Sequence, residues 1–410
     1  MKDAPIPYGR QNISADDLAA VAGTLKSDWL TQGPKVGEFE AALSDVTGAA
    51  DVVAVSSGTA GLHLAALACD LGPGDVAITA AMSFVASANC IEYCGAEVRF
   101  ADVDPGTGLI STDSLEQLLR QLAAEGRAPK VIIPVDMAGQ SADLATIRAL
   151  ADSVGAKVIS DAAHSLGGSY DVDGVRYASG SCAHSHLAEL SFHPVKNITT
   201  GEGGAVTTND AELARRISEL RAHGIHKDAG RLTVEESDPF SGPWYYEQDS
   251  LGFNYRITDI QCSLGVSQLE RLESFMARRR AIAARYDEAL SQSILREHLE
   301  PLQVHSSNLS AYHLYVVQLK SRAGEQPESV AARRKALYQY LKERGVLTQV
   351  HYIPIPWQPY YRNKYGLSRG DFPGALDYYA RSLSLPMFPS LTDTDFDRVV
   401  GALTDWAAAQ

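Results

Sequence analysis

The sequence predicts an α/β protein, in which a mainly parallel central sheet covered by helices is followed by a smaller α+β domain. Three observations carry this. Short apolar runs alternate with helix-patterned stretches from Val52 to Ser160. A long, charged helical stretch follows Asn254-Tyr255-Arg256, and beyond it strands and helices resume in a different order. Strands of a parallel sheet are buried on both faces, so they read as continuous apolar runs rather than as alternation.

In chain order, Ser14-Ala15-Asp16-Asp17 starts a helix whose apolar positions Leu18, Val21 and Leu25 share one face, and a turn around Gln32-Gly33-Pro34 ends that segment. The alternation then gives strands at Val52 to Val55, Val76 to Thr79, Val98 to Val103, Val131 to Val135 and Val158 to Ser160. Helices fall at Thr59 to Cys69, Ala86 to Tyr93 and Leu144 to Val154. Long helices are expected from Ile257 to Ser291. A strand at Tyr312 to Leu319, a helix at Val330 to Arg344, a strand at Thr348 to Tyr352 and a helix at Asp393 to Trp406 complete the chain. The expected division is a large domain over 1–265, with an N-terminal arm, and a small domain over 266–410. Lys227 to Pro243, polar with Gly and Pro, reads as a surface loop.

Composition limits the function. The 410 residues hold 36 Lys and Arg against 50 Asp and Glu, a formal charge of −14, which argues against a general nucleic-acid binder. With 45% hydrophobic and 21% charged residues the chain belongs with folded, soluble proteins. Five scattered cysteines do not suit a disulfide-stapled secreted domain, the first residues lack a signal-peptide core, and no apolar run reaches the roughly 18 residues that would span a bilayer. The expectation is a cytoplasmic protein without membrane contact.

Three segments could carry chemistry. Lys196 lies in Ser191-Phe192-His193-Pro194-Val195-Lys196-Asn197, followed by the glycine-rich Gly201-Glu202-Gly203-Gly204. Partial burial would lower its ammonium pKa and free the amine to attack a carbonyl, although an ordinary loop lysine reads the same way. Asp161 closes the strand Val158-Ile159-Ser160, at the strand end where open α/β sheets bind ligands. It could pair with a protonated pyridine nitrogen or cap the next helix. Ser56-Ser57-Gly58-Thr59 joins a strand to a helix and offers backbone N–H groups to an anion such as a phosphate, or is a plain helix cap. An amine, an acid and an anion site on one α/β scaffold together favour pyridoxal phosphate.

With these motifs, and with Gly252-Phe253-Asn254-Tyr255-Arg256, the chain resembles over nearly its whole length the DegT-type nucleotide-sugar aminotransferases. Ile6-Pro7-Tyr8-Gly9-Arg10-Gln11, the stretch Lys26 to Pro34, and Gln349-Val350-His351-Tyr352-Ile353-Pro354 look like the branch that acts in pseudaminic acid biosynthesis. The resemblance implies the aspartate-aminotransferase-like fold (pyridoxal-phosphate fold type I). It implies transfer of an amino group from L-glutamate to C4 of a UDP-linked 4-keto-6-deoxy-N-acetylhexosamine, in a homodimer with shared active sites. By the same resemblance Lys196 would hold the cofactor as a Schiff base and then shuttle a proton, and Asp161 would pair with the ring nitrogen. Phe84 would stack on the ring, and His164 would sit near the phenolic oxygen. Gly58, Thr59 and Ser191 would bind the phosphate from one subunit and Asn254 from the other. Tyr8, Arg10, Lys26 and Arg256 are substrate-side candidates.

Several positions depart from the family pattern: Ser57 stands for Asn, Ser160 for Glu, and Asp136 for a His or aromatic residue near the sugar, while Glu189 falls in an unusual Leu187-Ala188-Glu189-Leu190. A metal site at Cys182-Ala183-His184-Ser185-His186 would need a second pair of ligands, and none stands at the required spacing; no metal is expected. A dehydratase of the same family would carry His at position 196, and a non-catalytic regulator could have lost Lys196 or Asp161 freely.

Overall fold

A computed structural model describes residues 4–235, 237–292 and 294–410. Helices α1 (Ala15–Leu25) and α2 (Pro34–Thr47) lead into strand β1 (Asp51–Val55) and helix α3 (Gly58–Ala68). The alternation continues through β2 (Val76–Ala80), α4 (Ala86–Tyr93), β3 (Glu97–Ala101), α5 (Thr112–Ala124), β4 (Val131–Ile133), α6 (Leu144–Ser153) and β5 (Lys157–Asp161). A hairpin of β6 (Ser169–Val172) and β7 (Val175–Ala178) precedes β8 (Leu187–Ser191), β9 (Gly204–Thr208) and α7 (Ala211–Arg221). The seven-stranded sheet has the order β1-β9-β8-β5-β4-β2-β3. β9 is its one antiparallel member, paired against both β1 and β8, whereas β8, β5, β4, β2 and β3 are mutually parallel.

This topology places the site. The carboxyl ends of β1, β5 and β8 lie along one edge, and because β9 runs the other way its first residue, Gly204, lies at the same edge, opposite Val55 and Ser191. A Cβ on Gly204 would come within 2.6 Å of the Gly58 amide nitrogen and the Ser57 carbonyl carbon, so the start of α3 can rest on β9 only where the side chain is absent. Ser57 caps α3, its hydroxyl accepting from the Ala60 amide at 3.2 Å.

The remaining elements are the ribbon β10 (Ile225–His226) and β11 (Glu247–Gln248), α8 (Asp259–Leu269), the 21-residue α9 (Leu272–Gln292), α10 (Leu295–His298), β12 (Leu299–Pro301), β13 (Asn308–Leu309), β14 (Tyr315–Leu319), α11 (Pro327–Glu343), α12 (Pro359–Tyr365), α13 (Pro373–Arg381), β15 (Ser382–Leu385) and α14 (Asp393–Ala408). β12, β14 and β15 form a second, antiparallel sheet. Its apolar face packs with α9, α11 and α14 through Tyr286, Val317, Leu337, Leu341, Leu385 and Trp406. A separate cluster under α2 and α8, including Phe39, Leu43, Leu190, Phe192 and Cys262, holds the opposite face of β8. All five cysteines are buried and unpaired.

The structure differs from the sequence reading in specific places. The helix begun at Ser14 ends at Leu25, before the bend at Gln32-Gly33, and Pro34 after it opens a second helix: it is the first residue of α2, whose open N-terminus is capped by the buried Asp259 accepting from the Gly33 and Lys35 amides at 2.8 and 2.9 Å. Thr348 to Tyr352 forms no strand, because only Gln349 bridges to Ser384. Cys182 to His186 is a bend rather than a strand, so the two histidines do not share a strand face. His184 instead contacts the Tyr170 hydroxyl at 3.1 Å, and His186 Nδ1 accepts from the Val158 amide at 3.0 Å. Helices α2, α5, α7, α10, α12 and α13, and strands β6 to β13 and β15, have no counterpart in the sequence pattern.

Because the Gly204 contact is backbone against backbone, Gly204→Ala is expected to cost about 1–3 kcal/mol. Denaturant unfolding measures that cost, and the same variant should bind cofactor more weakly than the parent, because α3 is displaced.

Candidate active site

A cavity of about 570 Å³ opens at this edge of the sheet. Eight of the residues singled out in the sequence line it: Tyr8, Gly58, Thr59, Phe84, Asp161, His164, Ser191 and Lys196. The last residues of β5 and β8 contribute Asp161 and Ser191, the first turn of α3 contributes Gly58 and Thr59, and the loop between β8 and β9 contributes Lys196. That loop is tied by its own backbone: the Lys196 amide donates to the His193 carbonyl at 2.8 Å, and the Asn197 side chain donates to the Leu166 carbonyl at 2.7 Å.

Asp161 is buried. Its Oδ2 accepts from the Ser87 hydroxyl at 2.6 Å and its Oδ1 from the Ala163 amide at 3.3 Å. Burial pushes its carboxyl up, opposed by the Ser87 hydrogen bond and the Lys196 charge. Burial also holds the Lys196 ammonium below an ordinary lysine, with Asp161 and Glu189 pulling it back. His164 is kept well below its usual range, first by burial and then by the Lys196 charge, so its ring is neutral. Its Nε2 meets the Tyr352 hydroxyl at 3.0 Å, while its Nδ1 is buried without a partner.

Four lining residues extend the list. His313 sits with its ring centroid 4.4 Å from that of His164. The loop bearing it is held by the buried Arg279, whose guanidinium donates to the Tyr312, His313 and Met387 carbonyls at 3.1 to 3.2 Å. His351 is fixed by the Ser384 hydroxyl at 2.8 Å and contacts Tyr8 ring to ring. Tyr352 and Glu189 complete the group. The Gln349 to Pro354 motif pointed to His351 and Tyr352, and the odd strand Leu187-Ala188-Glu189-Leu190 to Glu189. For His313 no motif was read, since it reaches the cavity only through the packing of the small sheet.

Four sequence candidates do not line this cavity. Arg10 and Lys26 are exposed, Arg10 lying over the Phe388 ring; Asn254 is exposed and bridges to Ala222; Arg256 faces a separate cleft beside α2 and α7. Asp136 is not a cavity residue either. Buried behind Val135, it accepts from Ser165, Ser141 and the Ala142 amide, and it organises the turn after β4.

The lining fits pyridoxal phosphate. An amine of weakened basicity, a buried carboxylate, a helix N-terminus for an anion and a neutral imidazole with a spare ring nitrogen face one space, and that unpartnered buried nitrogen is a polar atom that a ligand would satisfy.

The sequence profile of the DegT/DnrJ/EryC1/StrS aminotransferase family matches residues 11–404, and the chain belongs to that family. It is 38% identical over 400 residues to the spore coat polysaccharide biosynthesis protein SpsC of Bacillus subtilis, covering 98% of this chain and 96% of SpsC. Helicobacter pylori PseC, an aminotransferase involved in the biosynthesis of pseudoaminic acid, superposes with a TM-score of 0.86 at 28% identity, over 99% of this chain and 100% of PseC. The pyridoxal-phosphate form of Spr1654 from Streptococcus pneumoniae gives 0.85 at 28% identity, over 99% of each chain. The protein is thus a pyridoxal-phosphate-dependent sugar aminotransferase with the aspartate-aminotransferase-like fold.

Among the described residues no helix is long and apolar enough to cross a membrane. His226, Glu247 and Asp249 come close enough together to suggest a cation site. The two carboxylates already have protein partners: Asp249 takes the Arg231 guanidinium at 2.6 Å, and Glu247 takes the Thr233 amide and hydroxyl at 2.8 to 2.9 Å. Overnight exposure to EDTA is expected to leave both the unfolding midpoint and the activity unchanged; stoichiometric metal in the purified protein, by plasma mass spectrometry, would contradict this.

Proposed function

We propose that the protein transfers an amino group from L-glutamate to C4 of a UDP-linked 4-keto-6-deoxy-N-acetylhexosamine, as a cytoplasmic homodimer. The convergence of Lys196, Asp161 and the start of α3 on one cavity carries the chemistry. The likeness to PseC over the whole of both chains supports the choice of sugar.

The bound cofactor supplies an aldehyde that carries the amino group and a ring that takes up the electron pair of the reacting carbon. In this reading Lys196 Nζ would hold the cofactor covalently and would serve as the acid and base at the reacting carbon. Asp161 holds the ring nitrogen protonated, and Gly58, Thr59 and Ser191 bind the phosphate. Phe84, 56% exposed at the mouth, covers the ring. Neutral His164 offers Nδ1 to the phenolic oxygen, with Tyr352 fixing the other nitrogen.

Apart from Lys196, no Lys or Arg lines the cavity among the described residues, although cofactor and nucleotide together bring three phosphoryl groups. The dimer answers this. Asn254 and Arg256 lie outside the cavity of their own chain, and in a symmetric pair they would complete the partner's site, with Asn254 on the cofactor phosphate and Arg256 on the nucleotide. Arg10 and Lys26, both exposed, are the further substrate-side cations, and Tyr8 faces the sugar. We divide the chain functionally into a cofactor domain, 1–265, and a covering domain, 266–410. A different nucleotide-linked keto sugar is the second reading, favoured by the higher identity to SpsC than to PseC.

Purified protein is expected to be yellow and to be bleached by borohydride, with peptide mapping placing the reduced cofactor on the peptide containing Lys196. Lys196→Ala should be isolated colourless, with a rate lower by on the order of 10²–10⁴-fold; full activity in that variant would remove Lys196 from the mechanism. A panel of UDP- and dTDP-linked 4-keto sugars with glutamate, read by product mass, is expected to show conversion of the UDP-N-acetyl substrate. Conversion of dTDP sugars alone would overturn the assignment in favour of the second reading.

A further inference from the structure

Glu189 has no role in the site as described, yet it lines the cavity and is 1% exposed. It lies in β8, where alternate side chains point to opposite faces: Ala188 and Leu190 join the cluster beneath the sheet, while Leu187, Glu189 and Ser191 face α3. The parallel register sets Glu189 directly opposite Asp161, with the two buried carboxyls in mutual electrostatic range. Two ionised carboxylates facing each other across adjacent buried strands would repel strongly, so one of them must carry a proton.

The surroundings identify which. Asp161 accepts from the Ser87 hydroxyl and the Ala163 amide, both of which favour its ionised form. Among the described residues Glu189 has no such donors, and its Oε1 is buried without a hydrogen-bond partner, tolerable for a neutral acid and costly for a carboxylate. Its stem runs beneath Gly58 and Gly61 of α3, where a Cβ on Gly61 would meet Glu189 Cγ at 3.2 Å and Val206 and Val55 at 3.3 and 3.4 Å, and a Cβ on Gly58 would collide with Oε1. The charged groups acting on it are Asp161 and Lys196, and burial drives its carboxyl well above the ordinary range. Its Oε1 also lies beside the first residue of α3, the phosphate end of the cavity, where a further negative charge would oppose a bound phosphate.

We propose that Glu189 is a positioning residue of the cofactor site: a carboxylic acid that keeps its proton and donates it to Asp161, so that the two carboxyls face the ring nitrogen as one monoanion. The inference rests on the reading that Asp161 pairs with that nitrogen. Glu189 thereby fixes the orientation of the Asp161 carboxylate together with Ser87, and spreads its charge over two side chains.

The test uses apoprotein reconstituted with pyridoxal phosphate, reading the cofactor Kd and the pH midpoint of the visible band, with thermal unfolding of each apoprotein as the control for folding. Glu189→Gln keeps the shape and a donor but cannot ionise; it should stay within about twofold of the parent in Kd, with an unchanged midpoint. Glu189→Leu lacks the donor and should weaken binding about tenfold and move the midpoint. Glu189→Val, a better strand former, serves in its place if the leucine variant fails to fold. Asp161→Asn is the reference and should move the midpoint further than either. A Gln variant that shifts the midpoint as far as Leu would show Glu189 ionised and overturn the inference. Leu and Val variants that match the parent, while Asp161→Asn shifts, would overturn it and leave the reading of Asp161 standing; no shift in Asp161→Asn takes both down.

Discussion

The interaction on which the rest of the site depends is the burial of the Asp161 carboxyl at the end of β5. A carboxylate there is expensive unless something pays in hydrogen bonds or opposite charge, and the surrounding elements are arranged to meet that need. α4 presents Ser87 to Oδ2, the backbone after β5 presents Ala163, and the loop after β8 brings the Lys196 ammonium into electrostatic range. Each partner comes from a different element, so the alignment of α4, β5 and β8 is fixed by the same contacts that stabilise the buried acid.

The antiparallel β9 is the second constraint. A purely parallel sheet would put the amino end of every strand at the far edge; reversing β9 brings Gly204 to the ligand edge, where its lack of a side chain lets the first turn of α3 settle between β1 and β9. The helix start is thereby held beside the ends of β5 and β8, and its first residues, Gly58 and Thr59, line the same cavity as Lys196 and Asp161. In the proposed function anion recognition would be local in a chain whose formal charge is −14: a dipole and backbone donors would do the work that a basic surface does elsewhere.

How far these features were legible follows from the range of the forces involved. Strands β1, β2, β4 and β5 are each built on a short apolar run, and helices α3, α4 and α6 follow β1, β2 and β4, so local pattern alone located the parallel half of the sheet and the ends where Gly58 and Asp161 stand. β8 and β9 were missed because Glu189 and Ser191 interrupt one apolar run and Thr207 and Thr208 shorten the other; their burial comes from neighbours distant in sequence. Thr348 to Tyr352 has strand composition but pairs only at Gln349, and its last two side chains, His351 and Tyr352, line the cavity rather than a sheet. Lys196, Ser191 and Phe84 were legible as motif, whereas His313 reaches the cavity through the Arg279 contacts, a tertiary arrangement that no local pattern encodes.

The buried guanidinium of Arg279 shows how the second sheet takes part in the site. α9 runs from the cofactor sheet to the small one, and Arg279 lies within it, fully enclosed and spanning three carbonyls on two segments, those of Tyr312 and His313 before β14 and of Met387 after β15. Burial lowers its pKa to about 10, still far above neutrality, so the charge persists and must remain bonded to those carbonyls. Any movement of the small sheet relative to α9 would strip hydrogen bonds from an enclosed cation, which makes the position of His313 against His164 stiff. The neutral imidazole pair at the cavity wall is therefore set by a charge that never touches the cavity's reactive groups, and the geometry of the site is a property of the whole chain rather than of the sheet edge alone.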